Sequence, residues 1–503
     1  MATDYILIWN DVALEANRVS HTDGSKEQNG PTLSSRALAI VHLAMYDAYA
    51  GVTNDPVRLP PYNAPLPPLP AGATIQAAVG GAAFWALMSL YPSQLEFFKD
   101  KLTIHGDVGN SGHAYGQKIG KAILALRKDD PPASQGNYRP SKGRGRHRAD
   151  PDNPGQGFHG PAYGKAKAFA LKTRYQLDTP PFDNAEYKES LRQVRAKGIK
   201  PELMATLPKK LYKKRRTTEE ALVGTYWAYD GAAGLGTPPR LYNQIVRKIS
   251  IAKSTLEIDN ARLFAFVNVA MGDAGILAWE QKYRYDFWRP VAGVREHDPS
   301  LGPVDEGLPM PAADEISKNA DPFWLPLGAP ASNSASACVT TSQATFPFAN
   351  AQFGRVKNFT PNFPTYPSGH ATFGAAAFHI LRLFYGVATK DTSPDALLQG
   401  LKNPDGTDIF FISDELNDRT QDNNGTVRPL HRREFKDGVW EMILENALSR
   451  IFLGVHWSFD AFAVGDDGEP DLDRNIGGVR LGLDIAEDIF AFGDGRGPKK
   501  SSV

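Results

Sequence analysis

Apolar residues recur at spacings of three and four along eight stretches of the chain: 34–50, 75–91, 114–127, 219–230, 259–288, 371–385, 435–453 and 477–492. That period lays them along one face of an α-helix. Alternation of the strand type is scarce. The connections 52–73, 131–165 and 297–367 are long and rich in proline and glycine, and PVRLPPYNAPLPPLP in the first cannot be regular helix. In a mostly helical chain such loops wrap the surface or form insertions. The pattern predicts a mainly α protein built of two packed helical halves, residues 1–215 and 216–503, forming one unit with the chemistry in the second half. No repeat of fixed period is present.

Composition narrows the function classes. The 503 residues exceed what one small core needs. Lys+Arg and Asp+Glu are equal at 56 each, so no net charge draws the chain to nucleic acid or membrane. Two basic stretches, Arg139–Arg148 and Lys209–Arg216, lack interleaved aromatics and are followed by acidic residues; they read as solvated loops. The single cysteine, Cys338, excludes an intrachain disulfide, and nothing near it in sequence would activate a thiol. The start, MATDYILIWNDVALEANRVS, has no basic residue before its apolar stretch and carries Asp4, Asp11 and Glu15, a poor signal peptide. The longest uncharged apolar run, Ala77–Tyr91, is short for a membrane span. A soluble protein with no membrane contact is expected.

Three segments of the second half carry chemistry. In KYRYDFWRP, Lys282 and Arg289 are seven residues apart. On a continuous helix both would follow nearly one face and could converge on one anion, with Pro290 ending the helix; a surface pair is the plain alternative. In YPSGHATFG, Ser368 offers a hydroxyl, Gly369 allows close backbone approach to an oxyanion, and His370 could exchange a proton with what is bound. An ordinary turn before a helix would look similar. In SRIFLGVHWSFD, Arg450 is a third cation, and Asp460 stands four residues beyond His456, where it could orient the ring. Packing of His456 among Ile451, Phe452 and Val455 is the alternative there.

Together, K-x6-R-P, PSGH and S-R-x5-H-x3-D resemble the signature of the superfamily that unites vanadium haloperoxidases with type 2 phosphatidic acid phosphatases. Three cations, a hydroxyl and backbone donors suit an oxyanion that is tetrahedral or five-coordinate. Phosphate passes through the second geometry on attack, whereas vanadate can rest in it. The stretches 226–249, 321–330, 363–378, 412–417 and 445–460 further resemble the fungal-type vanadium chloroperoxidases. That resemblance implies a fold of two four-helix bundles, a vanadate cofactor on His456, and oxygens of the cofactor held by Lys282, Arg289, Arg450, Ser368 and the Gly369 amide. It implies that His370 takes a proton from hydrogen peroxide, that Lys282 polarises the bound peroxide, and that Asp230 pairs with Arg450. Trp279 and Phe363 would line a halide pocket, plain core packing being their alternative. Algal-type bromoperoxidases carry a histidine where Phe363 stands, so the phenylalanine favours chloride.

The partners implied are hydrogen peroxide, a halide and a small organic acceptor; a monomer is implied as well. The fungal relatives act outside the cell. The chain departs from the family in an apparent insertion at 331–357, a shorter stretch at 461–475, and Asn362 in place of a proline. Two other readings share the site: an acid phosphatase with His456 as nucleophile, and a passive anion-binding helical protein, which would have no need of His370 and His456 together.

Overall fold

A computed structural model describes residues 3–503 except 133, 135, 142, 297–319, 335–337, 342–343, 348–356 and 466. Among the described residues, twelve helices have nine or more residues. They are α1 (Tyr5–Ser20), α2 (Gly30–Thr53), α3 (Ile75–Leu90), α4 (Leu95–His105), α5 (Ser111–Leu126) and α6 (Ala185–Lys197), followed by α7 (Thr218–Tyr226), α8 (Pro238–Ala252), α9 (Glu257–Tyr285), α10 (Gly369–Phe384), α11 (Gly438–Phe452) and α12 (Gly478–Phe492). The protein is mainly α-helical. Strand structure among the described residues is confined to two antiparallel hairpins, Cys338–Thr341 with Ala344–Pro347 and Ala463–Val464 with Pro470–Asp471. Most of the 331–357 stretch read as an insertion lies outside the described residues, and so does the Cys338 side chain.

All eight periodic stretches form helices. Three of them start at side-chain caps: Thr74 accepts from Ala77 N–H, Asn110 from Gly112 N–H, and Thr217 forms a reciprocal box with Glu220. Four further helices, α1, α4, α6 and α8, escape the periodicity. In α1 and α8 the reason is buried polarity. Asn10 of α1 donates to Asn243 of α8 at 3.1 Å, Asn243 donates to Asn268 of α9 at 2.9 Å, and Asn17 donates to Ser34 of α2 at 2.8 Å. Polar residues satisfied inside the core interrupt the apolar stripe that a sequence pattern relies on.

Helices α2, α3 and α5 pack on one another, and α10 packs against α8, α11 and α12. Between these groups runs α9, in contact with α2 on one side and α10 on the other. One cluster of buried apolar side chains passes through both halves. Helix α9 is long and apolar enough to cross a membrane by composition, but 94% of that apolar window is buried inside the protein, as a central core helix requires. Its one buried acid in mid-course, Asp273, accepts from the backbone N–H groups of Phe169, Ala170 and Leu171 at 2.5, 2.8 and 3.1 Å. That ties the long loop after α5 to the helix that carries Lys282.

The basic stretches are partly absorbed into the structure. Arg144 pairs with Glu296 and Asp183. Arg216 is buried and donates to the carbonyls of Ile199 and Phe452 at 3.1 and 3.0 Å.

One expectation is corrected. Lys282 and Arg289 do not share a helix. Helix α9 ends at Tyr285, where Asp286 takes a left-handed backbone (φ +50°) and accepts a hydrogen bond from Tyr138 OH at 2.5 Å. Phe287 then bridges to Arg146 in extended form. Arg289 caps a new short helix, Pro290–Val294, so Pro290 opens a helix instead of closing one.

Candidate active site

The turn at Asp286 brings Lys282 and Arg289 together from two elements. Lys282 Nζ lies 5.2 Å and the Arg289 guanidinium carbon 4.9 Å from the centre of the Phe363 ring. Lys282 is fully buried, and Nζ donates to the carbonyls of Pro364, Thr365 and Pro367 at 3.1, 2.8 and 2.5 Å. Burial and Arg289 push its pKa down, but three carbonyl acceptors need three N–H donors, which holds the proton on. Lys282 thus pins the loop that leads into α10.

That loop delivers Ser368, Gly369 and His370. Ser368 is the N-cap of α10; its Oγ accepts from Ala371 N–H at 3.4 Å and its own N–H donates to the Asp460 carbonyl at 2.9 Å. A Cβ on Gly369 would come 3.3 Å from the Trp279 ring, tighter than ordinary contact. The first turn is clamped by Asn446 Nδ2, which donates to the His370 carbonyl at 2.8 Å. His370 Nε2 is 2.8 Å from the Ala228 carbonyl. A carbonyl only accepts, so Nε2 carries the proton and Nδ1 is left as the ring's basic atom. Burial, then the charge of Arg450, holds the His370 pKa well below 6.5.

Helix α11 supplies Arg450, and the turn after it supplies His456. Arg450 Nη2 donates to both oxygens of Asp230, at 2.8 and 2.9 Å. Burial raises the Asp230 pKa against the pull of Arg450. His456 Nδ1 is 2.8 Å from Asp460 Oδ2, which also accepts from Trp457 N–H at 2.9 Å and from the Thr365 hydroxyl. The carboxylate fixes the Nδ1–H tautomer, so Nε2 carries the lone pair, which accepts from Arg289 Nη1. Arg289 Nη1 stands 3.1 Å from that nitrogen. Burial and the cations Arg289, Lys282 and Arg450 all keep His456 neutral. Burial raises Asp460 to about 7.

The result is a buried cationic cradle with unmet donors. Arg289 Nη2 and Arg450 Nε and Nη1 are enclosed and have no hydrogen-bond partner. Buried guanidinium N–H groups without acceptors are costly, and an oxyanion placed among them would satisfy all three. Buried cationic donors beside a single unprotonated imidazole nitrogen form a set that fits an oxyanion, vanadate or phosphate.

A cavity of about 170 Å³ opens on this cradle. Asp230, Gly369, His370, Arg450 and His456 line it, with Trp279 and Phe363 facing each other across 4.7 Å between ring centres. Seven of the candidate residues read from the sequence thus reach the cavity; Lys282, Arg289, Ser368 and Asp460 stand behind it. Thr365 and His159 were not foreseen. Thr365 sits three residues before Ser368 and would show only through its contact with Asp460. His159 lies in a loop of no period, and it also lines the cavity.

Residues 1–158 match the model of the vanadium chloroperoxidase N-terminal domain, and residues 262–469 match that of the second helical-bundle domain of the same enzymes. The chain is 35% identical to the vanadium chloroperoxidase of Curvularia inaequalis, over 98% of this chain and 90% of that protein. Two bacterial crystal structures share the fold. One is a vanadium-dependent iodoperoxidase, with a TM-score of 0.61 at 18% identity over 95% of this chain and 94% of that one. The other is a holo-type vanadium-dependent chloroperoxidase, with a TM-score of 0.51 at 14% identity over 94% and 96%.

Proposed function

Since the chain belongs to the vanadium haloperoxidase family, whose cofactor is vanadate and whose substrates are hydrogen peroxide and halide, we propose that it oxidises chloride as well as bromide to hypohalous acid. The observation that carries this reading is the trio of buried, partnerless guanidinium nitrogens on Arg289 and Arg450 beside the unprotonated Nε2 of His456. His456 would hold the metal through Nε2. Arg289, Arg450 and the Gly369 amide would hold its oxygens. When bound, vanadate supplies a Lewis-acid centre that activates peroxide toward a halide without changing oxidation state.

The remaining roles belong to the chain. Asp230 aims Arg450 by a two-point pair. Asp460 and Thr365 set the His456 tautomer. Lys282 fixes the 364–367 loop and reaches the cofactor only by exchanging one carbonyl bond. His370 Nδ1 takes a proton from hydrogen peroxide as it enters. Trp279 and Phe363 keep the halide in a dry aromatic space. A smaller halide costs more to strip of water, so chloride turnover is the stricter test.

The experiment is monochlorodimedone halogenation by the vanadate-loaded protein with peroxide, in chloride and then bromide. Turnover with both supports the reading. Turnover with bromide alone would remove chloride from it.

His370 gives a pH prediction. Its folded pKa lies below 6.5, so the neutral, proton-accepting form persists as pH falls through 6.5. In the vanadate-free protein, its ring signals in NMR should show no inflection near pH 6.5. Added vanadate offsets the charge of Arg450, so the His370 pKa should rise. A normal titration at 6.5 without vanadate would contradict the assigned environment.

A further inference from the structure

The cavity has one wall that the cradle does not use. His159 lines it beside Trp279 and Phe363. Its backbone is fixed on both sides: its N–H donates to the Asn362 carbonyl at 3.1 Å, and its carbonyl accepts from Trp279 Nε1 at 3.2 Å and Tyr283 OH at 2.6 Å. The loop is therefore held against the aromatic pair. Glycine at position 30 leaves room for the imidazole; a Cβ there would come 2.6 Å from the ring, on a backbone with φ +75°.

The ring itself is oriented. His159 Nε2 is 2.9 Å from Thr32 Oγ1. Thr32 is fully buried, and this is the sole hydrogen bond of its hydroxyl among the described residues. A buried hydroxyl uses its proton where it can. Thr32 therefore donates, Nε2 accepts, and the proton of the neutral ring sits on Nδ1. Nδ1 has no partner among the described residues. Burial, then His21, lowers the His159 pKa to about 4, so the ring is a neutral donor at working pH.

Two aromatic rings lie beside this one. The His159 ring centre is 6.2 Å from Trp279, nearly perpendicular to it at 83°, and 6.3 Å from Phe363. A neutral N–H beside apolar rings suits a small anion that has shed its water, and it suits a bulky, weakly hydrated one best.

We infer that His159 is a specificity-determining residue for halide, its Nδ1–H forming with Trp279 and Phe363 the subsite that holds the anion before oxidation. This rests on the haloperoxidase reading above. The subsite favours bromide over chloride.

Two variants test it in the vanadate-loaded protein. His159→Phe keeps a ring but removes the donor, and His159→Gln keeps an N–H. The loss of one hydrogen bond should raise the halide KM about five- to tenfold in His159→Phe, with KM for peroxide within about twofold, and His159→Gln should recover most of the loss. Bromide-81 line broadening, measured without peroxide, should fall in His159→Phe. Unchanged halide KM and unchanged broadening in a turning-over His159→Phe would overturn the inference. Absence of vanadate-dependent halide oxidation in the wild type would instead sink the haloperoxidase reading. The bromide line widths would then judge His159 alone, and equal broadening by wild type and variant would refute it.

Discussion

Replacing His456 with alanine should abolish vanadate-dependent turnover, by roughly a thousandfold or more, the scale on which loss of an essential group acts. His456 turns its Nε2 lone pair to the guanidinium nitrogens of the cradle, where Arg289 Nη1 donates to it, since its Nδ1 is committed to Asp460. The change should spare the fold. Asp460 keeps Trp457 N–H and Thr365 as donors, and burial already raises its pKa to about 7, so it can take up a proton when the imidazole is gone. Circular dichroism and a vanadate titration separate the outcomes. A folded variant that retains turnover would remove His456 from the centre of the mechanism. A folded variant that still binds vanadate but does not turn over would leave it a role in reaction, not in capture.

The second large effect concerns Arg450. Its Nε and Nη1 are two of the three partnerless nitrogens, and charge-assisted hydrogen bonds are worth about 1.5–3 kcal/mol each. Arg450→Ala should therefore weaken vanadate binding by roughly 10²- to 10⁴-fold. It also breaks a buried pair, which costs about 3–5 kcal/mol of stability, although Asp230 can soften this by protonation. Arg450→Lys restores charge but neither the two-point hold of Asp230 nor the fork of donors. Its vanadate affinity should fall between the two, and urea unfolding should show it still destabilised. Equal vanadate affinity in all three proteins would contradict the cradle.

The sequence showed different parts of this protein with different clarity. Helices α9 and α10 were legible almost to their ends, because long apolar periodicity and the Ser368 cap are local signals. Helix α1 was not, because Asn10 and Asn17 occupy its buried face and find partners only in α8 and α2. The residues of the cradle were legible as a set of spacings, but their routes were not. Lys282 and Arg289 converge through a left-handed turn at Asp286 that is held by Tyr138, 148 residues away in sequence. His159 falls in the 131–165 connection, which the sequence shows only as a surface wrap or an insertion. Its position follows from hydrogen bonds to Asn362, Trp279 and Tyr283, none of them near it in the chain. Position 363 brings no imidazole to the aromatic pocket, and yet the pocket has one, from residue 159.

The most direct measurement is bromide oxidation by the vanadate-free protein as orthovanadate is added in fractions of an equivalent, with hydrogen peroxide present. The account predicts no turnover at the start, a linear rise, and a break at one vanadate per chain. Turnover independent of vanadate, or no turnover together with phosphate-ester hydrolysis that vanadate suppresses, would contradict it.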